Sequence, residues 1–413
     1  MLLHRGLAFC LHLVCAVLLA KGQVLFGIDQ LEQSKFALLS NKRVVLVTHA
    51  AARAVNGMST LEVFASAQNV TIVRLLTPEH GFYGVVAAGK SVPDDTVAGI
   101  PAVSLYGPRR RPDKTLLENA DVVVVDLQDI GIRSYTYVST MIEVMEACAK
   151  YNVPLVVLDR ANPLGGQVVD GNVPDDTVRS FISRIPVPYI HGMTLGEIAT
   201  MANGEGWLEP DARGTPRKCS LTVVRCAALT RSMVWADLRR TWYPTSPNIP
   251  TLAAVRGCAL TGLLGEIGVC SIGMGTATPF TALGTPDFGV DTLLVTQLLN
   301  NGVIAAECRF RPLTGKWANT VCSGYYLDSR SDWQPYRAAL TILWRLRNRF
   351  PTAFTNALND RSTRTMFLKA CGSQSIITGL LRGASLTSIQ TSGTRGLEDF
   401  RKVRLPYLLY PNN

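Results

Sequence analysis

Histidine is scarce in this chain, five among 413 residues, and the three beyond residue 22, His49, His80 and His191, stand far apart. No C-x-x-C pair accompanies them, so the ligand spacing of a structural zinc site is missing. Charged residues are also few, 17% against 47% apolar, which excludes a disordered chain. No collagen or heptad repeat occurs, and this excludes fibrous architecture. The basic excess, +10 from 41 Lys and Arg against 31 Asp and Glu, is spread rather than blocked. Its one run, Arg109-Arg110-Arg111, lies between Pro108 and Pro112 and is read as a solvated turn, so no nucleic-acid partner is expected.

Long apolar runs are missing too, apart from one at the beginning. Arg5 precedes the mostly apolar Gly6 to Ala20, and Ala20 and Gly22 supply small residues before a cut at Gln23. A membrane span needs about 20 apolar residues, so residues 1–22 are expected to be a signal peptide and no span remains after its removal. The protein is expected to be exported, to a periplasm or the medium. Cys10 and Cys15 lie in the leader, and a loose lipobox at Cys15 leaves lipid anchoring as an alternative. Eight cysteines follow: Cys148, Cys219, Cys226, Cys258, Cys270, Cys308, Cys322 and Cys371. An even count in an exported protein permits disulfides, while wide spacing and apolar settings fit buried thiols at least as well.

What is present is a series of β-branched runs ending in polar residues. Val44 to Val47 ends in Thr48-His49, and Thr71 to Leu76 in Thr77-Pro78-Glu79-His80. Val122 to Val125 ends in Asp126, then Asp129, and Leu155 to Leu158 in Asp159-Arg160. Such runs read as strands buried on both faces, hence a parallel sheet. Helical patterns intervene at Ser59 to Ala67, Lys114 to Asn119 and Tyr135 to Lys150, the last with Val138, Met141, Ile142 and Met145 on one face. This alternation predicts an α/β, doubly wound domain, residues 23–284, in which ligands bind outside the carboxyl ends of the strands. His49, Glu79, His80, Asp126, Asp129, Asp159 and Arg160 would then gather along one edge. The alternative for any one of them is that it caps the next helix.

Thr194-Leu195-Gly196-Glu197 has capping-box form and opens a helix, which makes Glu197 a cap rather than a catalyst. From Gly284 the chain predicts a helix at Asp291 to Leu299, strands at Ala305 to Leu313 and Thr320 to Leu327, and a long helix at Tyr336 to Arg349. Lacking a βα rhythm, residues 285–413 are expected to form a smaller α+β subdomain.

Gly84 to Ser91 matches G-x-x-x-x-G-K-S letter for letter. A phosphate-binding loop requires a strand running straight into the first glycine and a helix opening at the Lys-Ser. Here Thr77 to Gly84 separates strand from glycine, and Pro93-Asp94-Asp95 breaks any helix, so no nucleotide is expected. The stronger signal is Thr77-Pro78-Glu79-His80-Gly81. Pro78 fixes the backbone, Gly81 permits a sharp turn, and a partly desolvated Glu79 at the sheet edge suits a general acid. Asp126 to Tyr137 adds Asp129, Arg133, Tyr135 and Tyr137 between a strand end and a helix. Arginine grips a carboxylate bidentately and aromatic faces pack on sugar rings, while paired carboxylates serve glycoside hydrolysis. The alternative is an Asp129–Arg133 structural ion pair with both tyrosines in the core.

These segments resemble the NamZ-type exo-β-N-acetylmuramidases. The matches are Gly27-Ile28-Asp29, Arg43 to Thr48, Thr77 to Gly81, Ser104 to Gly107, Asp126 to Tyr137, Leu158 to Gly166, Ile190 to Thr194, Ser246 to Thr251 and Leu397 to Tyr410. The resemblance implies a Rossmann-like N-terminal domain, a smaller C-terminal domain and a cleft between them. It also implies release of terminal N-acetylmuramic acid from peptidoglycan fragments, with no cofactor and no metal. By it, Glu79 is the catalytic residue; Asp129 is read as its partner or an orienting group, with Asp126 or a residue of the second domain as the alternative second carboxylate. His49, His80, Arg133, Tyr135, Tyr137, Arg160, Asn162, His191, Asn248 and Glu266 are expected to contact the sugar. Where the family reads about E-G-T-N-V-S-x-G-R-G-T-D-x-P-F, this chain places Val269, Met274 and Ala277 at the Asn, Arg and Asp positions after Glu266. That loss of polar groups implies altered specificity, or a silent relative that binds cell-wall sugars or a protein partner.

Overall fold

The computed structural model describes residues 22–412; the expected leader, apart from its last residue, lies outside them. Seven strands form one sheet: β1 Lys42–Thr48, β2 Val70–Thr77, β3 Asp95–Val97, β4 Ile100–Ser104, β5 Val122–Asp126, β6 Leu155–Leu158 and β7 Leu221–Val224. Their order is β3-β4-β2-β1-β5-β6-β7, parallel except for β3 against β4. The chain builds outward from β1 through β2 to β4, then crosses back to β5 on the other side of β1. The ends of β1 and β5 therefore flank the point where strand order reverses, the ordinary ligand crevice of such sheets.

The valine-rich runs serve both faces of this sheet. Val45, Val47, Val123 and Val125 meet the helix Tyr137–Tyr151 through Val138, Met141, Ile142 and Met145. Their neighbours Val44, Leu46, Val122 and Val124 pack on Phe26, Phe64 and Leu61 on the opposite face. Period-2 alternation thus puts apolar side chains on both sides, which is why the strands show no polar face. Elements read from sequence occur with shifted ends: helices Thr60–Ala65, Lys114–Leu117, Leu195–Gly204, Thr292–Leu299 and Pro335–Arg349. The Thr194–Glu197 capping box is formed, and Glu197 also pairs with Arg231 at 2.7 Å. Strands β3, β4 and β7 and the helix Leu252–Gly265 carry no signal in the sequence reading. The helix is apolar all round and buried against the C-terminal helices, so it shows no stripe.

A second sheet, β8 Ala282–Thr285, β9 Val303–Phe310 and β10 Cys322–Ser329, is antiparallel in the order β8-β10-β9. It shares a core with Leu252–Gly265, Pro335–Arg349 and the following helices, and with Ile130, Ile132, Tyr189 and Ile190 from the first unit. All eight described cysteines are free thiols. Among the described residues no helix is long and apolar enough to cross a membrane.

One side chain ties the two units together. Arg133, buried after β5, donates through Nη1 to the carbonyls of Asn172 (2.6 Å) and Val187 (3.0 Å). Its Nη2 donates to Ala370 (3.0 Å) and Cys371 (2.9 Å), the last carbonyls of the helix Arg361–Cys371, and its Nε to Ser183 Oγ. Each carbonyl left unmet in the interior costs about 1–3 kcal/mol. Arg133→Met is expected to lower unfolding free energy by at least ~3 kcal/mol, and Arg133→Lys to restore little of it because an ammonium lacks the planar fork. Urea midpoints of the three proteins check this; a shift under about 1 kcal/mol in Arg133→Met contradicts the clamp.

Candidate active site

Glu79 follows β2 and Pro78, and the backbone then turns sharply. Gly81 N–H donates to Pro78 O, and both His80 (φ 72°) and Gly81 (φ 75°) are left-handed. Gly81 adopts this freely, whereas His80 is held there at a cost of order 1–3 kcal/mol. Both Glu79 carboxylate oxygens are met: Oε1 by the Gly89 N–H at 2.7 Å and Oε2 by the Thr136 hydroxyl at 2.8 Å. Thr136 stands at the N-cap of Tyr137–Tyr151, yet its hydroxyl is spent on Glu79 rather than on its own helix. Gly89 belongs to the P-loop lookalike, whose residues 84–91 form turns with no helix after the Lys-Ser.

Glu79 lines a chamber of about 380 Å³. His80, Tyr106, Tyr135, Asn248 and Glu266 share its wall, as does Met366 from the C-terminal helix Arg361–Cys371. The His80 Nδ1–H donates to Val86 O at 2.7 Å, and Tyr135 donates to Thr245 Oγ1 at 2.8 Å. Burial and then the Glu79 charge push the Tyr106 phenol well above its ordinary range, so it is a neutral donor. Burial alone raises the Glu266 carboxyl. The chamber therefore sets two carboxyls and two phenols around a space the size of a sugar ring with substituents.

Five of the twelve residues singled out from sequence line this chamber: Glu79, His80, Tyr135, Asn248 and Glu266. Arg133, expected to contact the sugar, points away with every nitrogen engaged, and the alternative ion pair with Asp129 is not formed either. Tyr137 is buried under Tyr135 and donates to Thr245 O. Asn162 accepts from Leu164 N–H and donates to Met193 O, which fixes a loop. Arg160 grips Asp126, with Thr60 completing the group. Asp159 accepts from Thr194 Oγ1, Gly196 N–H and Tyr410, and so caps the helix Leu195–Gly204. For Asp159 the capping alternative is the observed one.

Asp129, His49 and His191 form a deeper polar layer behind the chamber. Asp129 Oδ2 accepts from Gly131 N–H at 2.7 Å and stands 3.8 Å from His191 Nε2. His191 Nδ1 accepts from Met193 N–H and His49 Nε2 from Gln128 N–H, so each ring carries its proton on the other nitrogen. Those two nitrogens, with Asp129 Oδ1, Gln128 Oε1 and Thr48 Oγ1, are buried without a protein partner. Groups of this kind are met by ordered water or by a ligand. Burial pushes Asp129 up to about 7, and holds His49 and His191 down to about 3. Among the described residues no group of three or more His, Cys, Asp or Glu could hold a metal ion.

Sequence reasoning missed Tyr106, Thr136 and Met366. Tyr106 follows β4, whose brevity hid a strand end; Thr136 lay inside a motif already noted. Met366 has no local signal, since only tertiary packing brings it there. Of the three departures near Glu266, Val269 is core, Met274 packs against that core and Ala277 is exposed; none lines the chamber.

The chain matches the family models for the N-terminal domain of the exo-β-N-acetylmuramidase NamZ over residues 44–253, and for its C-terminal domain over residues 259–410. It is 31% identical over 398 residues to the peptidoglycan β-N-acetylmuramidase NamZ of Bacillus subtilis strain 168, covering 94% of this chain and 92% of that protein. Two crystal structures of DUF1343-family proteins from Bacteroides fragilis NCTC 9343 are similar. One has a TM-score of 0.82 at 30% identity, covering 94% and 99% of the two chains; the other has 0.71 at 29%, covering 95% and 100%.

Asp129 keeps its proton in the folded chain at pH values where the unfolded chain has released it, so this group makes stability fall as pH rises from about 4 to about 7. His49 and His191 act oppositely over much of that window, since the unfolded chain protonates them first as pH falls. The informative quantity is the difference between Asp129→Asn and the unmutated protein. Thermal unfolding is expected to show the variant gaining relative stability across that window; a constant difference would mean an ordinary carboxyl.

Proposed function

This chain belongs to the NamZ exo-β-N-acetylmuramidase family of glycoside hydrolases, and we propose that it is an exported enzyme releasing terminal N-acetylmuramic acid from peptidoglycan-derived muropeptides or disaccharides. The observation that carries the reading is Glu79, held by two hydrogen bonds at the wall of a chamber large enough for one sugar. In this proposal Glu79 is the acid/base at the glycosidic oxygen, and its two donors fix the direction in which it presents that proton. Glu266, on the wall of the same chamber with a burial-raised proton affinity, would act as the second carboxyl; Asp129, in the buried polar layer, would act through it. Tyr106 and Tyr135 offer flat faces and neutral hydroxyls to a pyranose ring. His80 and Asn248 complete the polar wall.

Export to a periplasm or the medium rests on the leader pattern of Arg5, the apolar Gly6 to Ala20 and the small residues before Gln23. A purely sugar-binding role was motivated by the apolar Val269, Met274 and Ala277. These three residues stand outside the chamber wall, which favours the enzyme reading.

A chromogenic β-N-acetylmuramide, with the matching N-acetylglucosaminide as control, tests the reading. Muramide-selective turnover is expected, and Glu79→Gln is expected to reduce it by about 10²-fold or more while muropeptide binding persists. A folded, unmutated protein that turns over neither substrate refutes the assignment.

A further inference from the structure

A second cavity, of about 250 Å³, shares no lining residue with the Glu79 chamber. It opens where the turn after β1 meets Arg160 and the segment from Trp235 to Tyr243. Four arginines line it, Arg53, Arg160, Arg239 and Arg240, together with the rings of Phe26 and Tyr243.

The charge around this cavity does not balance. Asp126 is fully engaged by Arg160 and Thr60. Asp29 meets Arg240, the Phe26 N–H and the Val55 N–H. These two buried carboxylates offset two of the four guanidinium groups. Arg53 lies on the Tyr243 ring at 4.6 Å, donates to Ala50 O and Gly57 O, and stands 3.8 Å from the exposed Glu62 carboxylate. Arg239 is exposed, on a left-handed backbone (φ 54°) just past the turn Trp235–Leu238.

Arg240 supplies an independent sign. Its side chain is 7% exposed, and its Nε–H is buried with no partner. The Arg160 and Arg240 guanidinium carbons both stand over Phe26, 5.3 and 3.8 Å from the ring centre. Burial, partly offset by Asp29, and then the Arg160 charge pull Arg240 below its ordinary value. Like charges held together are relieved by an anion, and guanidinium forks match the oxygens of carboxylate and phosphate.

We infer that this cavity is an anion-binding site, in which Arg53, Arg239 and Arg240 take a single small oxyanion, a phosphate or a carboxylate group. Arg160, committed to Asp126, sets the field but has little left to donate. The volume admits one such group with a short substituent. The inference does not depend on the catalytic role of Glu79, since the two cavities are separate.

Calorimetric titration of the purified protein with inorganic phosphate and, separately, with acetate, at constant ionic strength in chloride, tests this. Saturable binding with a dissociation constant on the order of 1 mM is expected. Arg239→Gln, at an exposed position, is expected to weaken it about tenfold, and Arg53→Gln to a similar degree. Tighter phosphate binding assigns a phosphate ligand and tighter acetate binding a carboxylate. Saturable binding of neither, or affinity unchanged in both variants, overturns the site.

Discussion

A buried guanidinium without a carboxylate partner governs how this molecule is put together. Arg133 satisfies its charge with four carbonyl oxygens and one hydroxyl, drawn from residues 172, 183, 187 and 370–371. Burial pulls its proton affinity below the ordinary value, and carbonyl dipoles stand in for a counter-ion. Two of the carbonyls end the helix Arg361–Cys371, where the macrodipole already favours a cation. Gly372 continues past that helix end with φ 74°, and a Cβ there would lie 2.7 Å from the Arg133 nitrogen. The next three residues, Ser134, Tyr135 and Thr136, all line the chamber. The clamp that joins the two units therefore also sets the wall of the candidate site.

The sheet edge divides its polar residues between two tasks. Asp159 and the Asp126–Arg160 pair fasten helices and loops, and they consume their hydrogen-bonding capacity in doing so. Glu79, Glu266 and the tyrosines face open space, and Asp129, His49 and His191 keep atoms unmet behind them. Strand-end position alone does not distinguish these groups. What separates them is what each group borders once its neighbours have arrived: open space or an unmet atom for one set, protein partners for the other.

This explains which features were legible in the sequence. The runs Val44 to Val47 and Val122 to Val125 announce parallel strands because both faces must be apolar, and the structure places their alternate residues in two separate cores. The Thr194–Glu197 box is legible because it is a local, three-residue bond pattern. Glu79 stands out through Pro78 and Gly81, again local. Arg133 carried the right chemistry for gripping a carboxylate, yet its partners lie as far as 238 residues away, and no periodicity encodes that. Leu252–Gly265 is hidden for the opposite reason: apolar around most of its circumference, it lacks the contrast that makes a helix visible.

Met366 on the chamber wall, with Ala370 and Cys371 on the Arg133 clamp, has a consequence for the chain as it is made. Synthesis proceeds from the N-terminus, and domains tend to form in that order. Glu79, Thr136 and Tyr106 emerge early, Asn248 and Glu266 follow, and Met366 completes the wall only when the helix Arg361–Cys371 arrives. A nascent or truncated polypeptide carries the acidic group without an enclosed space around it. Completion of the chain is thus also the step that closes this wall.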